Sequence, residues 1–538
     1  MHNNYFQFFL LLISLFGFGG GSVFADNSDP YNYLPDNSSV KLDETNLPIV
    51  FIDTSCGGKA TKIIHKDYRI SVRMKIIDNP DGINYGDTIA HPDQQVDYEG
   101  WIGLKYRGNS SFDYSKKKPF GFKTLETNDV NGKKKKVKIL GMAKDNDWAL
   151  LAPYNDRSMI RDVLMFQLAR PYFDFTPSVR HCELILDGIY YGVYIVTERV
   201  RKGKHRLNLD DPGTNGDSLT GGYQVQVDRN DEDHYYTSKY FAVDKNGQRY
   251  SSYYRIYFQY IHPEYEDMMP AFPEQLNYLQ NQIDAMEKAI ASSDFTNPQT
   301  GYAHYIDSMS FIDYQLSQEV SNNVDGYRLS TNLFKHRDSQ DGRFKTALWD
   351  FNIAFGNANY CGAELTDFWT YQNTYITATN AYNKVPFWWM RLMEDPEYVK
   401  QLKARWTQYR QENYTNRHIE MVIDSMVNML NAKGAVERNY KAYPIWGKSI
   451  WPVPNYKTVN TYEKEIANLK RWLNERVAWM DEQLEFDSSS GVSFLPNNDF
   501  QKEITGYYDI KGIRLTTPPR QGIFIVRFKD GTSRLMRK

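Results

Sequence analysis

Residues 322–352 read NNVDGYRLSTNLFKHRDSQDGRFKTALWDFN, and two acidic turns in this stretch bracket a pair of short apolar runs. The runs are Asn332-Leu333-Phe334-Lys335-His336 and Lys345-Thr346-Ala347-Leu348-Trp349. Each is bounded by turn residues, which predicts a strand hairpin. The acids are Asp325, in Asn323-Val324-Asp325, and Asp350, in Trp349-Asp350-Phe351-Asn352. Two carboxylates at strand edges joined by one hairpin can reach a common ligand. Ordinary loop acids share this spacing, because Asp favours turns and strand ends.

Outward from this stretch the chain changes character. Upstream, Leu276 to Ala291 and Ser308 to Val320 follow a helical period. Earlier still, Leu47 to Ile52, Arg69 to Ile76, Ile102 to Tyr106 and Gly221 to Asp228 read as strands, and Lys116 to Lys123 reads as extended because Pro119 disfavours helix before it. Asp187-Gly188, flanked by β-branched and aromatic residues, is a tight-hairpin signal, since both residues tolerate positive φ. Asn155-Asp156 caps a predicted helix over 157–169 that Pro171 stops. The basic run Lys133 to Lys136 is read as a solvated hairpin end. From Pro386 to about Leu484 helices dominate, with Phe387-Trp388-Trp389 as core. The expected class is α+β, with a β-rich N-terminal half, a helical C-terminal half and a short β tail.

The 538 residues leave room for a large core and for two to four domains or one large domain with insertions. The expected divisions are 1–25, a secretory signal peptide ending at Val23-Phe24-Ala25; 26–46, a polar leader; 47–486, the main domain; and 487–538, a linker and tail. This places the mature protein outside the cytoplasm, in the periplasm, at the cell surface or secreted, with no stable membrane span after cleavage. A formal charge of −2 gives no global field for nucleic acid, so no nucleic-acid partner is expected. Three scattered cysteines form no disulfide framework, no His-Glu-x-x-His occurs, and Gly57-Gly58-Lys59-Ala60-Thr61 lacks the spacing of a phosphate loop.

Four motifs in order carry a resemblance. They are Arg107-Gly108-Asn109-Ser110-Ser111 with Lys117-Lys118-Pro119-Phe120; Asn155-Asp156-Arg157-Ser158-Met159-Ile160-Arg161; Gly188-Ile189-Tyr190-Tyr191-Gly192-Val193-Tyr194 running to Glu198; and Trp349-Asp350-Phe351-Asn352-Ile353-Ala354-Phe355-Gly356. Together they resemble the spore coat protein H (CotH) kinase family. The resemblance implies an atypical, two-lobed, protein-kinase-like fold that uses ATP with Mg2+ (or Mn2+ or Ca2+) to phosphorylate Ser, Thr or Tyr hydroxyls of a protein substrate. His-Arg-Asp and Asp-Phe-Gly, the usual kinase marks, are absent from the sequence.

On this resemblance Asp325 is the catalytic carboxylate, and Asp350, Asn352 and Asn332 hold metal or phosphate. Arg107, Lys118 and Lys123 form a phosphate clamp, with Glu198 as an acid able to pair with a lysine and Arg161 as a further phosphate or salt-bridge partner. Asn352 and Gln226 stand where the family generally shows acids, which opens the alternative of a catalytically weak or inactive surface module that binds peptide or glycan. A metal-dependent hydrolase built on the same acids is a third reading. The tail from Tyr507 to Lys538 resembles C-terminal sorting domains of the type IX secretion pathway.

Overall fold

The computed structural model describes residue 37 and residues 39–58, 60–230, 233–241, 255–372 and 384–486, together with strand segments at 504–508, 514–515, 523–528 and 533–537. The expected signal peptide, most of the leader and the opening residues of the 487–538 linker and tail lie outside the described residues. The chain divides into two compact units, Met1–Leu484 and Glu485–Lys538.

In chain order the first nine strands are β1 (Glu44–Thr45), β2 (Ile49–Asp53), β3 (Ile70–Ile77), β4 (Asn84–Tyr85), β5 (Val96–Tyr106), β6 (Phe120–Leu125), β7 (Asp147–Leu151), β8 (Val179–Leu186) and β9 (Ile189–Glu198). β1 and β4 pair only with each other, and the other seven form a closed barrel in the order β2-β3-β5-β6-β7-β9-β8. Period-2 alternation sends Val50 and Ile52, Val72 and Met74, Ile102 and Leu104, Phe120 and Phe122, Trp148 and Leu150 into one core. The β-rich half was expected as one lobe of a kinase-like fold. Closure into a barrel was not anticipated, and it depends on a parallel pairing of β2 with β8 between residues more than 130 positions apart in the chain (Ile49 with Glu183).

The Asp187-Gly188 hairpin between β8 and β9 forms as read, with φ of 51° and 77° at its two residues. Helix α1 (Ser110–Asp113) follows β5, and α2 (Arg161–Ala169) follows β7. The predicted helix over 157–169 therefore starts four residues late. Met159 takes a φ of 62°, which interrupts any helix there, while Asp156 accepts the Ser158 and Arg161 N–H groups at 3.0 and 2.9 Å.

The second half opens with α3 (Gly216–Leu219), β10 (Tyr223–Val227), β11 (Tyr235–Phe241) and β12 (Arg255–His262). Next come α4 (Tyr265–Met268), α5 (Pro273–Ala291) and α6 (Ser308–Ser321), then β13 (Thr331–Lys335) and β14 (Phe344–Ala347). Five strands form a sheet in the order β11-β12-β10-β13-β14, so the predicted hairpin over 332–349 is its β13–β14 edge. Helices α7 (Trp388–Leu392), α8 (Pro396–Gln411), α9 (Asn416–Asn431), α10 (Ala435–Ala442) and α11 (Tyr462–Gln483) complete the larger unit. Trp388 and Trp389 are fully buried, as their clustering with apolar neighbours suggested. Among the described residues no helix is long and apolar enough to cross a membrane. In the smaller unit β15 (Ile504–Tyr508), β16 (Arg514–Leu515), β17 (Ile523–Phe528) and β18 (Ser533–Arg537) form an antiparallel sheet, ordered β16-β15-β17-β18.

Candidate active site

A cavity of about 330 Å³ is walled on one side by barrel strand ends and on the other by the five-stranded sheet. From the barrel come Arg107 and Gly108 after β5, Pro119 before β6, Leu151 at the end of β7, Ile195 on β9, and Arg199 just after it. These positions are neighbours by register, since Tyr106 pairs with Phe120, Phe120 with Leu150, and Leu151 with Ile195. Gly108 has a φ of 82°, and a Cβ there would lie 2.1 Å from the Ser111 Oγ, so the turn that places Arg107 demands glycine.

From the sheet, Gln259, Gln226 and Asn332 lie side by side in one row across β12, β10 and β13, and all three line the cavity. The Asn332 amide oxygen accepts from Gln224 Nε2 at 3.0 Å. Helix α2 contributes Asp162 and Phe166, one turn apart on the same face.

Asp325 and Asp350 both face this space, with Asn352 beside them. Asp325 follows the end of α6, where Asn322 adopts left-handed geometry and stops the helix. Its Oδ1 accepts from Arg328 Nη2 at 2.6 Å and from the Tyr360 hydroxyl at 3.4 Å. Asp350 follows β14 with a φ of 67°, and its Oδ2 accepts from the Ser330 hydroxyl at 3.4 Å. Ser330 is itself left-handed, at 51°. Two non-glycine residues held this way at one wall are a cost that functional sites tolerate.

Four carboxyl groups line one cavity, and their electrostatics follow. Burial pushes the Asp350 carboxyl up to about 6; the charges of Asp325 and Asp228 add to this and the Arg107 guanidinium opposes it. Burial and then the charge of Asp350 push Asp162 up to about 8, although the Phe351 N–H donates to its Oδ1 at 2.7 Å. Asp228 is raised by burial against the pull of donors from Arg229, Gln226 and Ser330. Burial and then the charge of Arg199 lower the Arg107 guanidinium to about 10, with Asp350 the largest opposing influence. Arg107 lies 5.3 Å from the centre of the Trp349 ring and stays cationic at neutral pH.

Among the residues proposed from sequence, Asp325, Asp350, Asn352, Asn332 and Arg107 meet at this cavity. Lys118, Lys123, Arg161 and Glu198 do not line it. The Lys118 ammonium is 4.6 Å from the Phe112 ring centre and donates to the Phe112 carbonyl. Lys123 lies 3.8 Å from Asp147. Arg161 is buried between Asp156 at 2.6 Å and Glu465 at 2.8 Å, tying α2 to α11. Glu198 accepts the Ser178 N–H at 2.9 Å, and its nearest cation is Arg206 at 3.9 Å rather than a lysine.

Sequence reading passed over Asp162, Asp228, Arg199 and Trp451, all of which line the cavity. Asp228 was detectable. It lies two residues beyond Gln226, and the strand period puts both on one face. Gln226 Nε2 donates to Asp228, so a carboxylate sits next to the amide that stands where an acid was expected. At the mouth, Trp451 stacks on Tyr360 (5.9 Å, 11°) and meets Tyr114 at 4.6 Å.

Among the described residues no group of three or more His, Cys, Asp or Glu side chains is arranged to hold a metal ion unaided. The oxygen-rich donor set still fits a hard cation such as Mg2+, which is usually bound by one or two carboxylates together with water and the phosphates of its nucleotide. Asp350 and Asp162, both pushed upward in part by neighbouring acids, mark a place where added positive charge would relieve repulsion. Arg107, Arg199 and Arg229 line the same cavity as cations able to meet a phosphate.

A family model described as CotH kinase protein matches residues 104–480, well over half of the chain. No curated protein matches it.

Proposed function

Because the chain belongs to the CotH kinase family, we propose that it is an atypical protein kinase acting outside the cytoplasm, transferring the γ-phosphate of ATP to a Ser, Thr or Tyr hydroxyl of a protein substrate. One observation supports this most directly: Asp325 and Asp350, distant from Arg107 in sequence, share a single cavity with it. The barrel and the sheet-and-helix portion are then the two lobes flanking the nucleotide.

In this reading Asp325 receives the acceptor hydroxyl. Arg328 and Tyr360 hold its carboxylate in place, with Oδ1 accepting from both, so that it can take up the proton of an acceptor hydroxyl. The acceptor oxygen forms the new O–P bond as the β,γ-bridging bond breaks; ADP leaves and the hydroxyl proton passes to Asp325. Arg107 orients the phosphates and stabilises charge on the migrating group. Asp350, Asn332 and Asn352 would supply oxygens to Mg2+ or Mn2+, which when bound would neutralise phosphate charge. Asn352 keeps a ligating oxygen without the charge, and the neighbouring Asp228 supplies a carboxylate to the same space.

The test is incubation of the mature chain with labelled ATP, Mg2+ or Mn2+ and a panel of acceptor proteins. Transfer that falls by about a hundredfold or more in both Asp325→Ala and Asp350→Ala supports the assignment. Undiminished transfer in those variants refutes it, and absence of any nucleotide binding refutes the kinase reading as a whole. The location rests on residues 1–25 and on the sorting-like tail, and fractionation of host cells after deletion of each tests it.

A further inference from the structure

One side chain of the expected phosphate clamp, Lys123, joins a separate cluster of charges around Asp147. Asp147 on β7 is 4% exposed, and three cations meet it: Arg199 and Arg201 at 3.2 Å and Lys123 at 3.8 Å. A fourth, Arg69, donates to the carbonyls of Gly103 at 3.0 Å and Gly121 at 2.7 Å on the adjoining strands. The acids of the group lie beneath the surface, with Asp145 8% and Glu198 3% exposed, whereas Lys123, Arg199 and Arg201 remain 34%, 40% and 34% exposed. What reaches solvent is therefore positive. The basic run Lys133 to Lys136 continues it, because the Lys135 N–H donates to the Thr124 carbonyl at 2.9 Å, next to Lys123, although the exposed Glu126 pairs with Lys133 at 3.0 Å.

Resting on the kinase reading above, we infer that this patch docks an acidic segment of the acceptor protein, so that the kinase selects hydroxyls flanked by Asp or Glu. Position separates this role from nucleotide binding. Arg199 lines both the cavity and the patch, whereas Lys123, Arg201 and Arg69 lie outside the cavity that holds Asp325 and Asp350. An anion that meets them lies beyond the phosphates and belongs to a ligand extending out past Arg199, as a polypeptide entering the cavity would. Burial lowers both Arg69 and Lys123; the Asp147 charge opposes this, and the neighbouring arginines push both further down, since crowded cations repel one another. A run of carboxylates would relieve that repulsion and steer encounter.

The experiment uses the full chain and two fluorescent peptides, a Ser flanked by Glu and its Gln counterpart, read by anisotropy and by transfer. The Glu peptide is expected to bind about tenfold more tightly at low salt, with the advantage fading as salt rises. Arg201→Gln should weaken that peptide about threefold, leaving the Gln peptide and the KM for ATP unchanged. Lys135→Glu, on an exposed side chain, repeats the test should Arg201→Gln fold poorly. Equal binding of the two peptides overturns the inference, as does a rise in the KM for ATP matching that for peptide. Anisotropy needs no catalysis, so a chain that binds the Glu peptide selectively but transfers no phosphate refutes the kinase reading alone.

Discussion

An ionised carboxylate that is half buried, left-handed in backbone and surrounded by other acids costs folding free energy, and Asp350 has all three features. Its folded-state value near 6 lies above the ordinary 3.8, so the folded chain holds that proton more tightly than the unfolded one. Stability therefore falls as pH rises between the two values and stays lower above the upper one. Asp350→Asn should abolish transfer and yet raise the melting temperature at pH 7.5, a stability gained at the expense of function; a lower melting temperature would contradict the electrostatics described. Asp228→Asn should lower transfer by roughly 10- to 100-fold, as loss of a group that orients a site does, with melting unchanged or raised; steady-state kinetics beside calorimetry checks both. Five of the side chains proposed from sequence meet at the cavity because turns and strand ends constrain where Asp325, Asp350 and Arg107 can point. Lys118 and Lys123 were not predictable in the same way. A long side chain beside a strand can fold back onto a ring or a neighbouring acid, and both did.

Helices and strands are joined by buried charges whose removal has a calculable sign. Glu287 on α5 is fully buried, accepting from the Ser238 hydroxyl at 2.6 Å on β11 and from Trp388 Nε1 at 3.0 Å on α7. Burial pushes its carboxyl up to about 8, from an ordinary 4.5. The contribution is fully present below the lower value and is lost as pH rises through the upper one. Denaturant titrations between pH 5 and 9 should show a declining limb that flattens in Glu287→Gln, whose amide can still accept from Trp388 and can donate to Ser238. A second junction, Arg161 and Arg157 with Glu465, joins α2 and its preceding turn to α11. Glu465→Ala leaves two buried guanidinium groups short of a partner and should cost about 3–5 kcal/mol in urea unfolding. Elements with strong local signals were readable: the Asp187-Gly188 hairpin, the strand of Val72 and Met74, and helices α5 and α6. β7 was not, because Asp147–Leu151 is short and lacks an alternating polar face. Nor were β11 and β12, whose mutual register shifts between Thr237 and Phe241.

At the scale of the whole chain, local pattern loses its force, because barrel closure depends on which distant strands meet. The β2–β8 pairing leaves no periodic trace in either strand, so a β-rich half was legible and its closed topology was not. The division into units has a measurable consequence. Every residue that lines the cavity, and every strand of the barrel and the five-stranded sheet, lies within Met1–Leu484. The last helix among the described residues, α11, delivers Glu465 to Arg161, Arg476 to Glu319 at 3.1 Å, and Trp472 to the core before it ends at Gln483. A chain stopped after Phe486 keeps all these contacts. Its main melting transition should stay within about 2 °C of the full chain, since in a unit this large even 1 kcal/mol shifts the midpoint by only a few degrees, and its nucleotide affinity should not change. A chain stopped at Asn460 strips Glu465 and Arg476 from buried partners and should not fold cooperatively. If the longer truncation melts well below the full chain, residues 487–538 support the larger unit, and its stability cannot be assigned to the barrel, sheet and helices alone.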